Sequence, residues 1–297
     1  MQTKQQIQQL LASAGILPDK RLGQHFLIDL NLMRLLIDGA DIHDNDIVLE
    51  VGCGTGSLTQ GLAEKAGKVI AVEFDRTIAK IAQRELTKEK NVEVLQTDIL
   101  KSKNTISPAV TAALQSARKE FTGRILLVAN LPYNVACPVM MNLVTGPLVA
   151  DGMFVTVQKE VAERMTAQLH SRHYGTLSIL LVATGDVKME RILRPTVFWP
   201  QPQVDSAMLS FVRKEEKAEQ IRDIRILSEV MNLFMQHRRK MLRACTKFAA
   251  GRLAEIDNWS QILERCFIDS QKRPEEITPQ DYISIANLCT EQLKTLP

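Results

Sequence analysis

From Asp46 onward, short runs of β-branched and apolar residues alternate with longer segments of helical texture, a pattern that restricts the chain to an open, mostly parallel sheet flanked by helices. The runs are Ile47–Val51, Val69–Glu73, Val92–Gln96, Ile125–Ala129 and Phe154–Val157, with helical stretches such as Thr77–Leu86 and Lys159–Leu169 between them. After Leu181 the texture changes. Asp186–Leu193 and Met208–Val212, separated by the proline-rich bridge Pro195–Pro202, read as a late antiparallel hairpin or two edge strands. The charged run beginning at Arg213 has no apolar periodicity and is the expected linker, and all that follows it reads as helical. The expected organisation is an α/β domain over 1–212 and a small all-helical domain over 213–297, preceded by an amphipathic helix at Gln5–Gly15.

At 297 residues, 45% of them hydrophobic, the chain can bury a core without disulfide or metal staples. With 37 basic against 34 acidic residues, any surface for nucleic acid must be local. The five cysteines (Cys53, Cys137, Cys245, Cys266, Cys289) are odd in number and lack a C-x-x-C pair, so neither a disulfide framework nor a thiolate zinc site is expected, and a reducing cytoplasm fits best. His170-Ser-Arg-His173 has no further ligand set beside it and reads as a solvated loop, so no metal is expected. The polar N-terminus and the lack of any apolar run of about 18–20 residues predict neither a secretory signal nor a membrane span.

The strand Ile47–Val51 runs directly into Gly52-Cys53-Gly54-Thr55-Gly56, followed by a plausible helix over Ser57–Lys65. Glycines at such a turn allow positive φ and close approach of a ligand to the main chain, and the helix N-terminus favours polar or anionic groups. Glu73 ends the next strand about 20 residues on, where nucleotide-binding sheets place the carboxylate that grips a ribose. Ser57 stands where a dinucleotide loop has its third glycine, which moves the expectation from NAD to S-adenosylmethionine and the fold class to a Rossmann-like methyltransferase. Asp98, closing the third strand, is a second carboxylate at the same edge, suited to an adenine amino group.

The fourth strand ends in Asn130-Leu131-Pro132-Tyr133. An adenine exocyclic amine is a poor nucleophile because its lone pair is delocalised into the ring. A site that methylates it must hold both N–H bonds with acceptors and leave the lone pair facing the methyl group. The Asn130 side-chain oxygen and the Leu131 carbonyl are candidates for those acceptors, Pro132 stiffens the turn, and the Tyr133 ring offers a stacking face. No strong general base is needed, since the amine becomes acidic as transfer proceeds. In-line placement of amine, methyl and sulfur does most of the work.

At about 100° per residue, a helix through the tail puts Val230, Leu233, Phe234, His237, Met241, Ala244, Cys245 and Phe248 on one face and Arg239, Lys240, Arg243 and Lys247 on its neighbour. The first face is expected to be core, His237 included. The second, with no acid between His237 and Lys247, is a candidate RNA-phosphate surface.

In these motifs the chain resembles the ribosomal RNA adenine dimethyltransferase family, in particular its bacterial small-subunit branch of the kasugamycin-resistance type. The resemblance runs from Lys20-Arg21-Leu22-Gly23-Gln24-His25-Phe26-Leu27, similar to the family's cofactor-covering segment, through the glycine loop, Val72–Asp75, Thr97-Asp98, Ala129–Asn134 and Gln158–Arg164. It continues through Phe198-x-Pro200-x-Pro202-x-Val204-Asp205-Ser206-Ala207 to His237–Arg243. It implies that His25, Leu27, Gly52, Gly54, Glu73, Asp98 and Asn130 contact S-adenosylmethionine. It also implies that Asn130, Leu131 and Tyr133 face the target base, with Phe198 as its second stacking partner. The implied reaction is dimethylation of two adjacent adenines in the loop of the 3′-terminal hairpin of 16S rRNA, in the small subunit or its precursor; a cytoplasmic monomer with no membrane partner is expected. His25 stands where many bacterial members carry Asn, Cys53 replaces a common Pro, and Lys101–Gly123 is longer than the pattern requires. The rival readings are a DNA adenine methyltransferase, a 23S rRNA methyltransferase of the macrolide-resistance type, and a ribosome-assembly factor whose methylation is dispensable.

Overall fold

The computed structural model describes residues 1–19 and 23–295, so Lys20, Arg21 and Leu22 of the cofactor-covering motif lie outside the described residues. The alternation from Asp46 is realised as a seven-stranded sheet built from β1 (Ile47–Val51), β2 (Lys68–Glu73), β3 (Val92–Gln96), β4 (Ile125–Asn130), β5 (Gly152–Gln158), β6 (Gly185–Leu193) and β7 (Ser206–Arg213). Their order is β3-β2-β1-β4-β5-β7-β6. Strands β1 to β5 pair in parallel, and β7 runs antiparallel to β5. Every residue of β1 is buried, as are Ile125–Ala129 of β4, which is why these strands read as apolar runs, interrupted only by Glu50, and not as alternating ones. The edge strand β6 is buried only at Gly185 and Leu193 and carries Asp186, Lys188, Glu190 and Arg191, charges that discourage pairing with another chain.

The chain divides into two units, Met1–Ala162 with Lys188–Val212, and Glu163–Val187 with the chain from Arg213 onward. The first carries α1 (Lys4–Ser13), α2 (Leu30–Gly39), α3 (Ser57–Ala63), α4 (Arg76–Glu85), α5 (Pro108–Ala117) and α6 (Ala136–Thr145), and α7 (Lys159–Met165) leads out of it. Helix α1 buries Ile7 and Leu11 against Ile78 and Ile81 of α4. Its approach is pinned by Gln2, whose backbone N–H donates to Ser57 Oγ (2.7 Å), whose Nε2 donates to the Thr55 carbonyl (3.0 Å), and whose Oε1 accepts from Thr55 Oγ1 (2.6 Å). The long segment after Asp98 forms a small hairpin, Leu100–Ser102 with Thr105–Ile106, and then α5, which buries Val110, Ala113, Leu114 and Ala117.

The helical unit takes in Glu163–Val187 as well as the chain from Arg213 onward. The reason lies in α8 (Thr176–Thr184), which is apolar all round and needs cover on every side. It packs with α10 (Ile224–Gln236) and α13 (Pro279–Thr295), and the neighbouring Tyr174 hydroxyl donates to the Ile277 carbonyl (2.9 Å). Between these helices run α9 (Glu215–Ala218), α11 (Leu242–Cys245) and α12 (Trp259–Arg265), with Phe234 edge-on to both Trp259 and Tyr282.

The single tail helix expected through Phe248 is two. Helix α10 ends at Gln236, Lys240 N–H turns back to the His237 carbonyl (2.7 Å), and α11 begins only at Leu242. Tertiary acceptors claim the amides that would have continued the helix: Leu242 N–H donates to the Lys272 carbonyl (2.8 Å) and Arg243 N–H to that of Ser270 (3.1 Å). His237 is therefore only half-buried, stacked at 4.1 Å on the ring of Phe248, which stands 47% exposed and is not core. Arg239, Lys240, Arg243 and Lys247 are all exposed, and Arg238 is tied to Glu275 (2.7 Å). Among the described residues no helix is long and apolar enough to cross a membrane.

Candidate active site

The site begins where β1 gives out. Gly52 and Gly54 hold φ of 75° and 58°, and a Cβ built on them would lie 2.8 Å from Pro132 Cγ and 2.9 Å from the Phe26 ring. Only glycine fits this turn, for both reasons. The amides of Gly52 and Cys53 donate to the Val72 carbonyl, and Gly54 N–H donates to Glu73 Oε2 (2.9 Å), so the strand-end acid is an integral part of the loop. Glu73 Oε1 accepts from Asp75 N–H (2.9 Å), while Asp75 itself caps α4 through Thr77 and Ile78. Burial pushes the Glu73 carboxyl above its ordinary range, and the two amides pull part of the way back.

A cavity of about 240 Å³ opens against this loop. His25, Leu27, Gly52, Gly54, Glu73, Asp98, Asn130, Leu131 and Tyr133, drawn from five segments of the chain, all line it. Asp98 is exposed there, with Oδ1 accepting from Leu100 N–H (2.9 Å).

Asn130 is held from two sides. Its Nδ2 donates to the His25 carbonyl (2.7 Å), and its Oδ1 accepts from Thr156 Oγ1 (2.5 Å), the residue opposite it in the β4–β5 register. A carbonyl can only accept, so the amide nitrogen must face His25 and the oxygen is left with one unshared lone pair. Leu131 N–H donates to the Thr156 carbonyl (3.1 Å). The Tyr133 hydroxyl pairs with Ser206 Oγ (2.7 Å), its ring lies near-parallel to that of His25 at 5.6 Å, and His25 Nδ1 sits 2.7 Å from the Pro200 carbonyl.

Phe198 is not part of this arrangement. It pairs with Leu27 in a two-residue bridge, Phe26–Leu27 with Phe198–Trp199, and is 1% exposed in the core with Leu27, Met33 and Met208. Side chains alternate across such a bridge, so Trp199 stacks on Phe26 (6.2 Å) while Phe198 turns inward. The expected second stacking partner is thus a core residue here. Arg239, Lys240, Arg243 and Lys247 belong to the helical unit and do not line the cavity. Among the described residues no three His, Cys, Asp or Glu side chains are grouped to hold a metal.

Two lining residues escaped the sequence reading. Phe74, exposed just after Glu73, presents an apolar plate to the cavity. Glu50 is 2% exposed inside β1, with Oε2 accepting from Thr59 Oγ1 (2.6 Å). Burial pushes its carboxyl up to about 8, opposed by the Thr59 bond and reinforced by Glu73. The available signal was an acid in an otherwise wholly apolar strand. Because the folded value lies above the unfolded 4.5, the stability this group allows is complete below about pH 4.5 and is lost as pH rises through about 8. Glu50→Gln, which keeps an acceptor for Thr59, is expected to remove that slope, so the variant's Tm should gain steadily on wild type from about pH 5 to 8. Parallel melting temperatures across that range would sink the assignment.

A glycine loop locked to a strand-end acid, a second acid at the next strand end, and an oriented Asn-Leu-Pro-Tyr turn on one cavity define a Rossmann-like methyltransferase that uses S-adenosylmethionine. The chain belongs to the ribosomal RNA adenine dimethylase family, whose model matches residues 18–291. It is similar to the ribosomal RNA small subunit methyltransferase A of Geobacillus sp. (strain WCH70), 33% identical over 282 residues and 94% of each chain. It is also similar to the protein of that name from Alkaliphilus metalliredigens (strain QYMF), 36% identical over 268 residues and 90% of each. Two solved structures share the fold. A dimethyladenosine transferase from Plasmodium falciparum matches with TM-score 0.73 and 23% identity, covering 90% of this chain and 98% of that one. The 23S rRNA methyltransferase ErmE matches with TM-score 0.62 and 19% identity, covering 91% and 100%.

Proposed function

We infer that this enzyme dimethylates the N6 amines of two adjacent adenines in the loop of the 3′-terminal hairpin of 16S rRNA, acting in the cytoplasm as a monomer on the small subunit or its precursor. The observation that carries the reading is the Asn130 amide, fixed at the cavity edge with one acceptor lone pair free.

The residues present fit the cofactor: the main chain of Gly52 and Gly54 lines the cavity, Glu73 and Asp98 offer acceptors for ribose hydroxyls and an adenine amino group, and Phe74 offers an apolar face. S-adenosylmethionine supplies a methyl group on positively charged sulfur. Asn130 Oδ1 and the Leu131 carbonyl accept the two N–H bonds of the target amine and so direct its lone pair toward the cofactor side of the cavity. The Tyr133 ring stacks on the base, its hydroxyl anchored on Ser206 and kept protonated by burial. The proton leaves to water after transfer.

Glu73→Gln keeps the side chain's size but sets an amide where two backbone N–H groups now find a carboxylate. Cofactor affinity is expected to fall by about 1–2 kcal/mol. Calorimetric titration checks this, and an unchanged Kd removes Glu73 from the ribose. The function itself is tested by labelled methyl transfer to unmethylated small subunits, large subunits, naked rRNA and DNA in parallel. Label is expected in small-subunit RNA, at the paired adenines, and equal labelling of large-subunit RNA or DNA would overturn the reading.

A further inference from the structure

Phe267 is 97% exposed and holds φ of 57°, so a large apolar side chain stands in water on a backbone conformation that favours glycine. The local geometry explains the conformation and leaves the residue type unexplained. Phe267 N–H donates to the Glu264 carbonyl (2.9 Å) and Ile268 N–H to that of Leu263 (3.0 Å), the paired bonds that close a helix through a left-handed residue, with Ile268 and Leu263 both buried behind them. Glycine would close α12 without strain. A bulky residue kept strained and solvent-exposed points to a use for the ring.

The surroundings indicate which use. The loop that Phe267 opens runs alongside α11, with the Ser270 and Lys272 carbonyls accepting the Arg243 and Leu242 amides. Exposed Lys272 and Arg273 thereby join exposed Arg239, Lys240 and Arg243. Of the nearby acids, Glu275 is paired with Arg238 and Glu276 accepts from the Arg273 N–H (2.6 Å), while Glu264 and Asp269 are exposed. Across α11 and this loop, five exposed cations stand against the exposed acids Glu264, Asp269 and Glu276, and the loop opens on an exposed aromatic ring; cations for the phosphates and a π-face for a base are the combination that holds unpaired nucleotides.

We propose that Phe267 stacks on an unpaired base of the RNA held by Arg239, Arg243 and Lys272. The inference rests on the reading of the basic segment as an RNA surface, and the experiment separates the two. Phe267→Gly, Phe267→Ala and Phe267→Tyr are compared with wild type in binding to small subunits and to protein-free rRNA across a salt series. Phe267→Gly is expected to raise Tm by roughly 2 °C by releasing strain. The same variant should bind both RNAs about tenfold more weakly, with an unchanged salt slope, because stacking releases no counterions. Phe267→Ala should weaken binding similarly, and Phe267→Tyr should restore it. Binding by Phe267→Gly within twofold of wild type overturns the proposal, as does weakening confined to subunits, which would mean that the ring meets protein. If reversing Arg239 and Arg243 changes nothing either, the RNA surface itself is misassigned. If only that reversal weakens binding, Phe267 alone is.

Discussion

Asn130→Ala is expected to lower single-turnover methyl transfer by roughly 10²–10³-fold while leaving RNA affinity within a few-fold of wild type. The side chain acts on the reacting amine and touches no phosphate, so its loss belongs to kcat and not to KM. The structure also predicts a graded companion. Thr156→Val removes the hydroxyl that holds Asn130 Oδ1 but leaves the amide in place, with its nitrogen still donating to the His25 carbonyl. Losing one such orienting bond should reduce kcat by about tenfold, and Thr156→Ser should recover it. Rapid-quench measurement of transfer to saturating substrate reads both effects. Transfer surviving in Asn130→Ala within a few-fold would end its role as acceptor.

Reversing Arg239 and Arg243 to Glu is expected to weaken binding to small subunits by roughly 100-fold or more at moderate salt and to flatten the dependence of log K on log salt by about one unit per lost phosphate contact. A pocket that reads one extruded adenine cannot tell it from the many others in ribosomal RNA, so selection must come from RNA shape held against another surface. Both arginines are exposed and lie outside the cofactor cavity, so S-adenosylmethionine affinity should not move. Wild-type affinity with an unchanged slope would make the basic segment an ordinary solvated face and return substrate choice to the catalytic unit.

What was legible in the sequence follows from how local each signal is. Strands Ile47–Val51 and Val92–Gln96 have the bounds their apolar runs predict, and the glycine loop and its acid lie together because strand, turn and helix are consecutive. Nine of the candidate catalytic and cofactor residues meet at one cavity, and all but His25 and Leu27 do so for the same reason: parallel strands deliver their ends to one edge. The misses are non-local. Phe198 reads as a site residue from its motif, yet its side is decided by pairing with Leu27, 171 positions earlier. The helix break at His237 depends on carbonyls of Ser270 and Lys272, which no window over the tail contains. Glu50 is marked in sequence only as an acid in an apolar strand, and its place on the cavity depends on segments far along the chain. The docking of α1, left open by its sequence, is decided by Gln2, whose partners Thr55 and Ser57 are more than fifty residues away.

The excursion of Glu163–Val187 into the helical unit has a consequence for how the protein is made. Helix α8 leaves the ribosome apolar on every side, while the helices that cover it are still unwritten: α10 starts 40 residues later, and α13 closes only at Thr295. At elongation rates of about 5–20 residues per second, this sticky segment waits on the order of ten seconds for its cover. Chaperone capture of the nascent chain should therefore peak after α8 has emerged and before α13 is complete. The tail cannot be treated as a portable cassette either, because a fragment begun at Arg213 lacks α8, around which α10 and α13 close.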